Sequence, residues 1–318
     1  MKPGAGSDRG SSYTAPWWLP GGHLQTIAAA LLPAPRIFWK RERWETPDGD
    51  FIDLDWAGTE GPLIALFHGL EGSSSSPYAR AIASQALAMG WRCVVPHFRG
   101  CSGELNRLPR AYHSGDSAEI AWILDRLQAR HAAGGVLHAV GISLGGNALL
   151  KLLGEQGAAI NLHRAVAISA PLDLAAAGRS LDAGLSREIY TRIFLRTLKK
   201  KTFEKIRRQK IALDAERLKR ARTFWEFDDT VTAPLHGFLG ADDYWARSSS
   251  GPWLAGIRVP TLVLNARNDP FMPEAALDAV GEMPANVVLE FPRSGGHAGF
   301  PGRNRWLAQR VLEFLSSP

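Results

Sequence analysis

The stretch VLHAVGISLGGN, residues 136–147, constrains the fold of this chain more than any other segment. An apolar run with strand character ends at Gly141, the pattern G-x-S-x-G occupies residues 141–145, and an apolar helical run begins at Gly146. A strand that turns sharply into a helix around a serine exposes the hydroxyl at the carboxyl end of a sheet. The flanking glycines leave room for neighbouring backbone, and the helix N-terminus directs partial positive charge toward the turn. Ser143 is therefore predicted to be a nucleophile.

Strand and helix patterns alternate along most of the chain. The turn signal PDG at residues 47–49 lies between two alternating runs and predicts an antiparallel hairpin. Continuous apolar runs predict strands buried on both faces. These strands are predicted at residues 63–67, 93–95, 136–140, 165–169, 261–265 and 287–291, with helices at residues 77–89, 117–130 and 303–315. The alternation predicts an α/β fold with a mostly parallel central sheet and helices on both faces.

The domain organisation follows from composition along the chain. Residues 1–15 are rich in Gly and Ser and are predicted to be a disordered tail, and residues 16–318 to be one domain. Residues 172–254 are largely helical and basic and lie between two predicted strands of the sheet. They are predicted to be an insertion that caps the site.

Most of the basic character lies in one part of this predicted cap. Residues 187–222 hold 14 Lys/Arg and 4 Asp/Glu, whereas the rest of the chain holds 23 Lys/Arg and 27 Asp/Glu. This pattern is typical of solvated helix faces, or of a surface that attracts anionic substrates and lipids. Peripheral contact with an anionic membrane surface is therefore one prediction. The basic segment lacks a recognised motif or an interleaved aromatic platform, so no nucleic-acid partner is predicted.

Cysteines and apolar runs limit the protein class further. Only Cys93 and Cys101 occur, so a disulfide framework is not predicted, and their spacing does not suit a metal site. A reducing, cytoplasmic location is expected. No run approaches the roughly 18 apolar residues that a membrane helix needs, and the short run TIAAALLP at residues 26–33 does not resemble a cleaved signal. The sequence leaves the oligomeric state open.

Two loops after late strands carry the partners that a serine nucleophile needs. A serine hydroxyl requires a base to take its proton, and the base requires an orienting acid. In proteins with a nucleophile turn of this kind, the acid and then the histidine come after the serine along the chain. Asp269 lies after the run at residues 261–265, and His297 lies between glycines after the run at residues 287–291. Ser143, Asp269 and His297 are therefore predicted to form a catalytic triad.

Several alternatives to these assignments remain at the level of sequence. Asp173, Asp242 and Asp243 are also candidates for the acid, the first because it follows a strand. His68 and His97 follow strands as well, but both precede Ser143 and so do not fit the expected chain order.

An oxyanion hole needs two backbone N–H donors aimed at the developing charge. Leu144, directly after the nucleophile, is predicted to supply one donor. Leu70, in the loop HGLEG at residues 68–72, is predicted to supply the other. His68 is expected to brace this loop rather than to act as the base. Neither a metal nor an organic cofactor is needed for this chemistry.

Other stretches resemble the YheT-like family of α/β-hydrolases. They are HLQT at residues 23–26, HGLEGS at 68–73, HFRGCSGE at 97–104, YHSG at 112–115 and FDDT at 227–230. The resemblance runs from about residue 16 to residue 315, and the histidine of HFRGCSG points to this family in particular. It implies the α/β-hydrolase fold and places the family's triad on Ser143, Asp269 and His297. It also implies esterase activity, with eukaryotic relatives that act on phospholipids or transfer acyl groups from thioesters to alcohols and often carry an N-terminal membrane helix.

These observations predict a serine hydrolase that cleaves small-molecule carboxylic esters, short-chain or lipid, through an acyl-enzyme intermediate. One alternative is an acyltransferase that passes the acyl group to an alcohol. Another is a non-catalytic binding protein on a hydrolase scaffold, because a fold does not guarantee activity. The complete set of predicted triad residues disfavours this last alternative.

Overall fold

The computed structural model describes residues 11–132, 135–302 and 305–317, and its centre is one eight-stranded sheet. The spatial order of the strands is β1-β2-β4-β3-β5-β6-β7-β8. The strands are β1 (Lys40–Glu45), β2 (Phe51–Ala57), β3 (Leu63–Phe67), β4 (Arg92–Pro96), β5 (Leu137–Ile142), β6 (Arg164–Ile168), β7 (Thr261–Leu264) and β8 (Val287–Glu290). Strand β2 pairs antiparallel with β1 and β4, and the remaining neighbours pair in parallel. The predicted hairpin and the mostly parallel sheet are confirmed.

Helices follow most of the strands. They are α1 (Gly22–Leu31), α2 (Pro77–Ala88), α3 (Ser117–His131), α4 (Leu144–Gln156), α5 (Leu174–Leu181), α6 (Gly184–Ser186), α7 (Arg192–Gln209), α8 (Ala215–Arg220), α9 (Phe224–Phe227), α10 (Ala233–His236), α11 (Ala241–Ser248), α12 (Glu274–Asp278) and α13 (Trp306–Ser316). The last predicted helix began at residue 303, but residues 303 and 304 lie outside the described residues. Across the described ranges, every helix is too short or too polar to span a bilayer.

The central strands are buried because helices cover both faces of the sheet. In β3, Leu63, Ala65 and Phe67 face a core shared with α3 and α4. The alternate residues Ile64 and Leu66 face a second core, shared with α2 and α13. Successive side chains of a strand point to opposite faces, so a continuous apolar run is what a sheet in the middle of three layers requires. This arrangement confirms the predicted α/β fold class.

The helical insertion lies between β6 and β7, as predicted, and comprises α5 to α11. Two carboxylates of the FDDT stretch hold it together. Asp228 accepts hydrogen bonds from the Trp245 indole at 2.8 Å and the Thr232 hydroxyl at 2.6 Å. Asp229 accepts the Ala241 N–H at 3.0 Å at the start of α11. Burial raises the pKa of Asp228 to about 7, and its two hydrogen bonds oppose this shift.

The N-terminal segment differs from the predicted tail. Residues 1–10 of that tail lie outside the described residues, but residues 11–15 are described. Tyr13 is buried, its hydroxyl donates to the Pro301 carbonyl at 2.8 Å, and its ring meets Phe300 edge-on. The prediction of disorder is corrected for residues 11–15, because an aromatic side chain can anchor a segment whose average composition is polar.

Candidate active site

Ser143 occupies the turn between β5 and α4, and its backbone is strained. Its φ is +51°, a value that non-glycine residues rarely adopt. The flanking glycines make the turn possible: a Cβ at Gly141 would lie 2.6 Å from the Gly145 carbonyl oxygen, and a Cβ at Gly145 would lie 2.5 Å from the Phe67 carbonyl oxygen. The Ser143 N–H donates to the Ile168 carbonyl of the neighbouring strand at 2.8 Å. These contacts hold the serine at the carboxyl end of the parallel sheet.

The structure brings the three predicted catalytic side chains together. The His297 Nε2 lies 2.9 Å from the Ser143 Oγ, and the His297 Nδ1 lies 2.9 Å from the Asp269 Oδ2. The other carboxylate oxygen of Asp269 accepts the Phe271 N–H at 2.8 Å. The Asp269 side chain is completely buried and that of His297 is 11% exposed. A carboxylate on Nδ1 leaves Nε2 to accept the serine proton, which is the geometry of a nucleophile, base and acid.

The rival acids lie in other interactions. Asp173 caps the N-terminus of α5 by accepting the Ala176 N–H at 2.9 Å. Asp242 accepts the Trp225 indole N–H at 3.2 Å, and Asp243 pairs with Arg247 at 3.1 Å. Each of these contacts lies within the cap or at its start, whereas Asp269 alone among the four candidates contacts His297.

The HFRG stretch has a structural role near the hairpin. The His97 Nε2 lies 2.8 Å from the Asp55 carboxylate, so this histidine is not available as a base. Burial alone would raise the pKa of Asp55, but hydrogen bonds from Arg41, His97 and Ser74 outweigh it and hold the pKa below its usual range. The neighbouring Arg99 is buried and forms ion pairs with three carboxylates that join the hairpin to α3, namely Asp48, Asp50 and Glu119.

Helix α1 holds the histidine loop in place. The Thr26 hydroxyl accepts the His297 N–H at 2.8 Å, and the Gln25 side-chain oxygen accepts the Gly295 N–H at 2.8 Å. Both side chains are buried although they are polar. The sequence contained a signal for this role, the HLQT stretch, but its position far from His297 in the chain gave no means of linking the two.

Two further contacts fix the imidazole of His297. The Phe271 ring stacks on it with centroids 3.9 Å apart and an interplanar angle of 20°. On the backbone side, the Ala298 N–H donates to the Ser169 hydroxyl at 2.9 Å. Neither residue was identified from the sequence, because both contacts depend on loops that meet only in the folded chain.

His68 orients the Leu70 N–H, one of the two predicted oxyanion donors. Burial lowers its pKa to about 3, so the imidazole is neutral. The Phe98 N–H donates to Nε2 at 3.1 Å, which places the proton on Nδ1, and Nδ1 donates to the Gly69 carbonyl at 2.7 Å. The Gly72 N–H donates to the same carbonyl at 2.9 Å. The C=O and N–H of a planar trans peptide point in opposite directions, so these bonds fix the direction of the Leu70 N–H.

The loop that carries Leu70 lies against the nucleophile. A Cβ at Gly69 would lie 3.2 Å from the Ser143 Cβ. Within the described residues, no acceptor binds the Leu70 N–H. Leu144 is the first residue of α4, so its N–H has no acceptor within the helix. Both N–H groups are thus open for a ligand beside Ser143.

Glu71 connects this loop to the cap. Its φ is +55°, and the Tyr112 hydroxyl both accepts the Glu71 N–H and donates to the Glu71 carboxylate, each at 2.9 Å. The same carboxylate pairs with Lys201 of α7 at 2.8 Å. The cap therefore contacts the residue next to Leu70 through an ion pair with one largely buried partner.

A cavity of about 970 Å³ extends from Ser143 between the sheet edge, α1 and the cap. Its apolar lining includes Ile27 of α1, Leu70 of the oxyanion loop, and Leu174, Phe194, Phe227 and Val231 of the cap. A mostly apolar cavity with a few polar groups at one place suits a ligand with an apolar body and a single reacting group.

Comparisons with known proteins agree with the fold. The model of the α/β-hydrolase fold family matches residues 62–302. The chain is 38% identical over 314 residues to "Putative esterase YheT" of Escherichia coli (strain K12), covering 93% of this chain and 90% of that protein. It is 28% identical to "Phospholipase ABHD3" of Homo sapiens, covering 91% of this chain and 73% of that protein.

A solved structure shows the same fold at low sequence identity. The esterase Pf2001 of Pyrococcus furiosus aligns with a TM-score of 0.59 at 15% identity, covering 89% of this chain and 97% of that chain. The family resemblance predicted from the sequence is confirmed by the match to YheT over nearly the whole chain. The chain belongs to the α/β-hydrolase fold family, and within it to the YheT-like group of esterase- and lipase-type enzymes.

Proposed function

We propose that this protein is a serine hydrolase of carboxylic esters and that Ser143 forms an acyl-enzyme. The observation that carries the proposal is the hydrogen-bonded series from the Ser143 Oγ to His297 and on to Asp269, with both distances at 2.9 Å. A serine hydroxyl in contact with an imidazole that a buried carboxylate orients is the arrangement needed to activate an oxygen nucleophile.

In the first half of the reaction the Ser143 Oγ attacks the ester carbonyl while the His297 Nε2 takes the hydroxyl proton. The carbonyl oxygen becomes an oxyanion, which accepts hydrogen bonds from the Leu70 and Leu144 N–H groups. The C–O bond to the alcohol then breaks, and His297 donates its proton to the departing oxygen. The products are a free alcohol and an acyl group esterified to Ser143.

In the second half water replaces the alcohol. His297 takes a proton from water as the water oxygen attacks the acyl carbon, and a second oxyanion forms in the same hole. The bond to the Ser143 Oγ breaks, the proton returns to that oxygen, and a carboxylic acid leaves. Throughout the cycle Asp269 remains ionised and stabilises the imidazolium form of His297.

The cavity supports an ester with an apolar acyl chain as the substrate. Its volume of about 970 Å³ exceeds what a short acyl group would fill, and its walls near the cap are aliphatic and aromatic. Burial of each CH₂ group contributes about 0.8 kcal/mol, so specificity should favour longer chains until the cavity is full.

The test is hydrolysis of p-nitrophenyl acetate, butyrate, octanoate and dodecanoate by the wild type and by Ser143→Ala. The wild type should turn over all four, with kcat/KM rising toward the longer chains. Ser143→Ala should lose about five orders of magnitude or more in kcat. The matched control is Ser75→Ala, an exposed serine outside the cavity lining, which should keep the wild-type rate. Unchanged hydrolysis by Ser143→Ala would refute the proposal.

A further inference from the structure

Exposed apolar side chains concentrate in the segment of the chain that contains α1 and the residues on either side of it. Of the thirteen large apolar side chains that are exposed in the described residues, six come from residues 17–38. They are Trp17, Trp18, Leu24, Leu31, Leu32 and Phe38, of which Trp17 is 91% and Phe38 is 96% exposed. Single exposed apolar residues are ordinary, but a concentration of them marks an interaction surface.

The active-site cavity reaches the surface at the same place. Leu31 and Leu32 line the cavity and are also 78% and 42% exposed. From the cap, Ile193 of α7 lines the cavity and is 63% exposed. Residues that line the cavity and are also exposed form the rim of an opening, so the end of α1 and the start of α7 border a mouth of the cavity, as do Gly302 and Arg305. The mouth surface is defined here as the six residues around α1 together with Ile193.

Positive charge continues from this rim along α7. Arg196 and Lys200 follow Ile193 at spacings of three and seven residues, which places all three on one side of the helix. Both basic side chains are exposed, and neither has an ion-pair partner among the described residues. The adjacent lysines point elsewhere: Lys199 donates to the carbonyls of Lys219 and Ala221, and Lys201 pairs with Glu71.

We propose that the mouth surface docks on an anionic phospholipid bilayer and that the acyl chain of a substrate enters the cavity from that bilayer. This inference rests on the proposed ester hydrolase function. Trp side chains favour the interface between water and lipid, and basic residues beside it are attracted to anionic headgroups. An apolar rim next to unpaired basic side chains is complementary to such a surface in both respects.

The direct test is co-sedimentation with vesicles of phosphatidylcholine containing about 30% phosphatidylglycerol, an anionic surface of the kind that basic segments recognise. The wild type should partition onto these vesicles. The double variant Trp17→Ser with Phe38→Ser should bind about tenfold less, since two large apolar side chains can no longer enter the interface. The matched control is Leu239→Ser, which removes a side chain that is 96% exposed on the cap and does not line the cavity. This control should bind within twofold of the wild type.

Charge reversal tests the electrostatic half of the proposal. Arg196→Glu with Lys200→Glu should reduce binding to the anionic vesicles at least about tenfold, and high salt should reduce wild-type binding in the same way. The control is Arg130→Glu with Arg258→Glu, which changes the net charge equally at exposed sites near the amino ends of the strands, at the opposite end of the sheet from Ser143. It should bind within threefold of the wild type. Equal losses in both double variants would mean that net charge alone drives binding, and would overturn the proposed surface.

Hydrolysis of a soluble ester distinguishes a failure of the docking proposal from a failure of the proposed hydrolase function. All the variants above lie outside the catalytic groups and the cavity lining, so hydrolysis of p-nitrophenyl butyrate should stay within twofold of the wild type. Loss of that activity in the wild type itself would refute the hydrolase, whereas intact activity without vesicle binding would refute only the docking. Gel filtration over a range of concentrations completes the test: a dimer that Trp17→Ser with Phe38→Ser dissociates would assign the surface to a second copy of the chain instead.

Discussion

The edge of the sheet that carries Ser143, Asp269 and His297 is built differently from the cap above it. At the edge, Ser143, Asp269 and His297 each follow a parallel strand, and the order of the strands brings the three loops to one end of the sheet. In the cap, the 18-residue helix α7, several shorter helices and two π-helical turns, Arg187–Thr191 and Asp228–Thr232, are joined by side-chain contacts such as that of Asp228 with Trp245. Strand order places the residues of the edge, and side chains of α1 then brace the His297 loop. The cap depends throughout on contacts between side chains, both polar and apolar.

Because of this difference, we expect the edge to determine the rate of cleavage and the cap to determine which esters are accepted. The groups proposed to react lie at the edge, where a small displacement would cost much of the rate. The walls of the cavity come largely from the cap, so changes there should alter which esters are accepted more than how they are cleaved. The ion pair between Lys201 and Glu71 is a direct polar contact between the cap and the oxyanion loop.

The largest effect on the edge should follow from Asp269→Asn. An amide presents an N–H to His297 Nδ1 and favours the tautomer in which Nε2 cannot accept the serine proton, so kcat should fall about 10⁴-fold. Steady-state kinetics on p-nitrophenyl butyrate measure this. The control is Asp173→Asn at the start of α5, where Asn is an equally good N-cap, and where rate and stability should stay unchanged. If Asp269→Asn lowered kcat only slightly, the assignment of Asp269 as the acid would be refuted.

A smaller loss should follow from His68→Asn, which also acts on the edge. Asn is too short to bond both the Gly69 carbonyl and the Phe98 N–H, so the Leu70 N–H would lose its fixed direction. Misplacing one oxyanion donor costs about 10²-fold in kcat. His97→Asn provides the comparison, because the His97 ring lies 6.0 Å from that of His68 but its hydrogen bonds go to Asp55 and to the Cys101 carbonyl, outside the oxyanion loop. It should lower the melting temperature and leave kcat within twofold, and similar kcat losses in both variants would contradict the special role of His68.

Removing the contact between the cap and the edge should lower kcat several-fold. Lys201→Met removes the partner of Glu71 beside the oxyanion loop, and a loss of about 1 kcal/mol in transition-state stabilisation would reduce kcat roughly fivefold. Lys200→Met changes the next residue of the same helix, which is exposed, and should leave the rate on a neutral soluble ester unchanged. Equal rates for the two variants would show that cap and edge are independent.

A substitution inside the cap should change the stability of the protein rather than the rate of ester hydrolysis. The folded state raises the pKa of Asp228 to about 7, so between pH 4 and pH 7 the folded protein holds a proton that the unfolded chain releases. The contribution of this group to the free energy of unfolding therefore falls as the pH rises through that window. Asp228→Asn keeps an acceptor for Trp245 without ionising. Its melting temperature relative to the wild type should increase by about 2 °C or more from pH 5 to pH 8, and a constant difference would contradict the buried-carboxylate account.

The edge could be predicted from the sequence because each reacting residue follows an apolar strand in a fixed order. The strands at residues 63–67 and 261–265 and the G-x-S-x-G turn needed only local patterns. The bracing of His297 by Gln25 and Thr26 could not be predicted, since those contacts join residues about 270 positions apart in the chain. The contacts of the cap could not be predicted either. Three consecutive lysines form one basic run in the sequence, yet Lys199 bonds to the Ala221 carbonyl, Lys200 is exposed and Lys201 pairs with Glu71.

Covalent labelling shows whether Ser143 is the activated nucleophile of this edge. The protein would be treated with a fluorophosphonate, its intact mass measured, and the labelled peptide mapped, with Asp269→Asn and Ser143→Ala treated in parallel. We expect one adduct per chain on Ser143 of the wild type, much slower labelling of Asp269→Asn, and no labelling of Ser143→Ala. An adduct on another serine, or an active protein that does not label at Ser143, would contradict it.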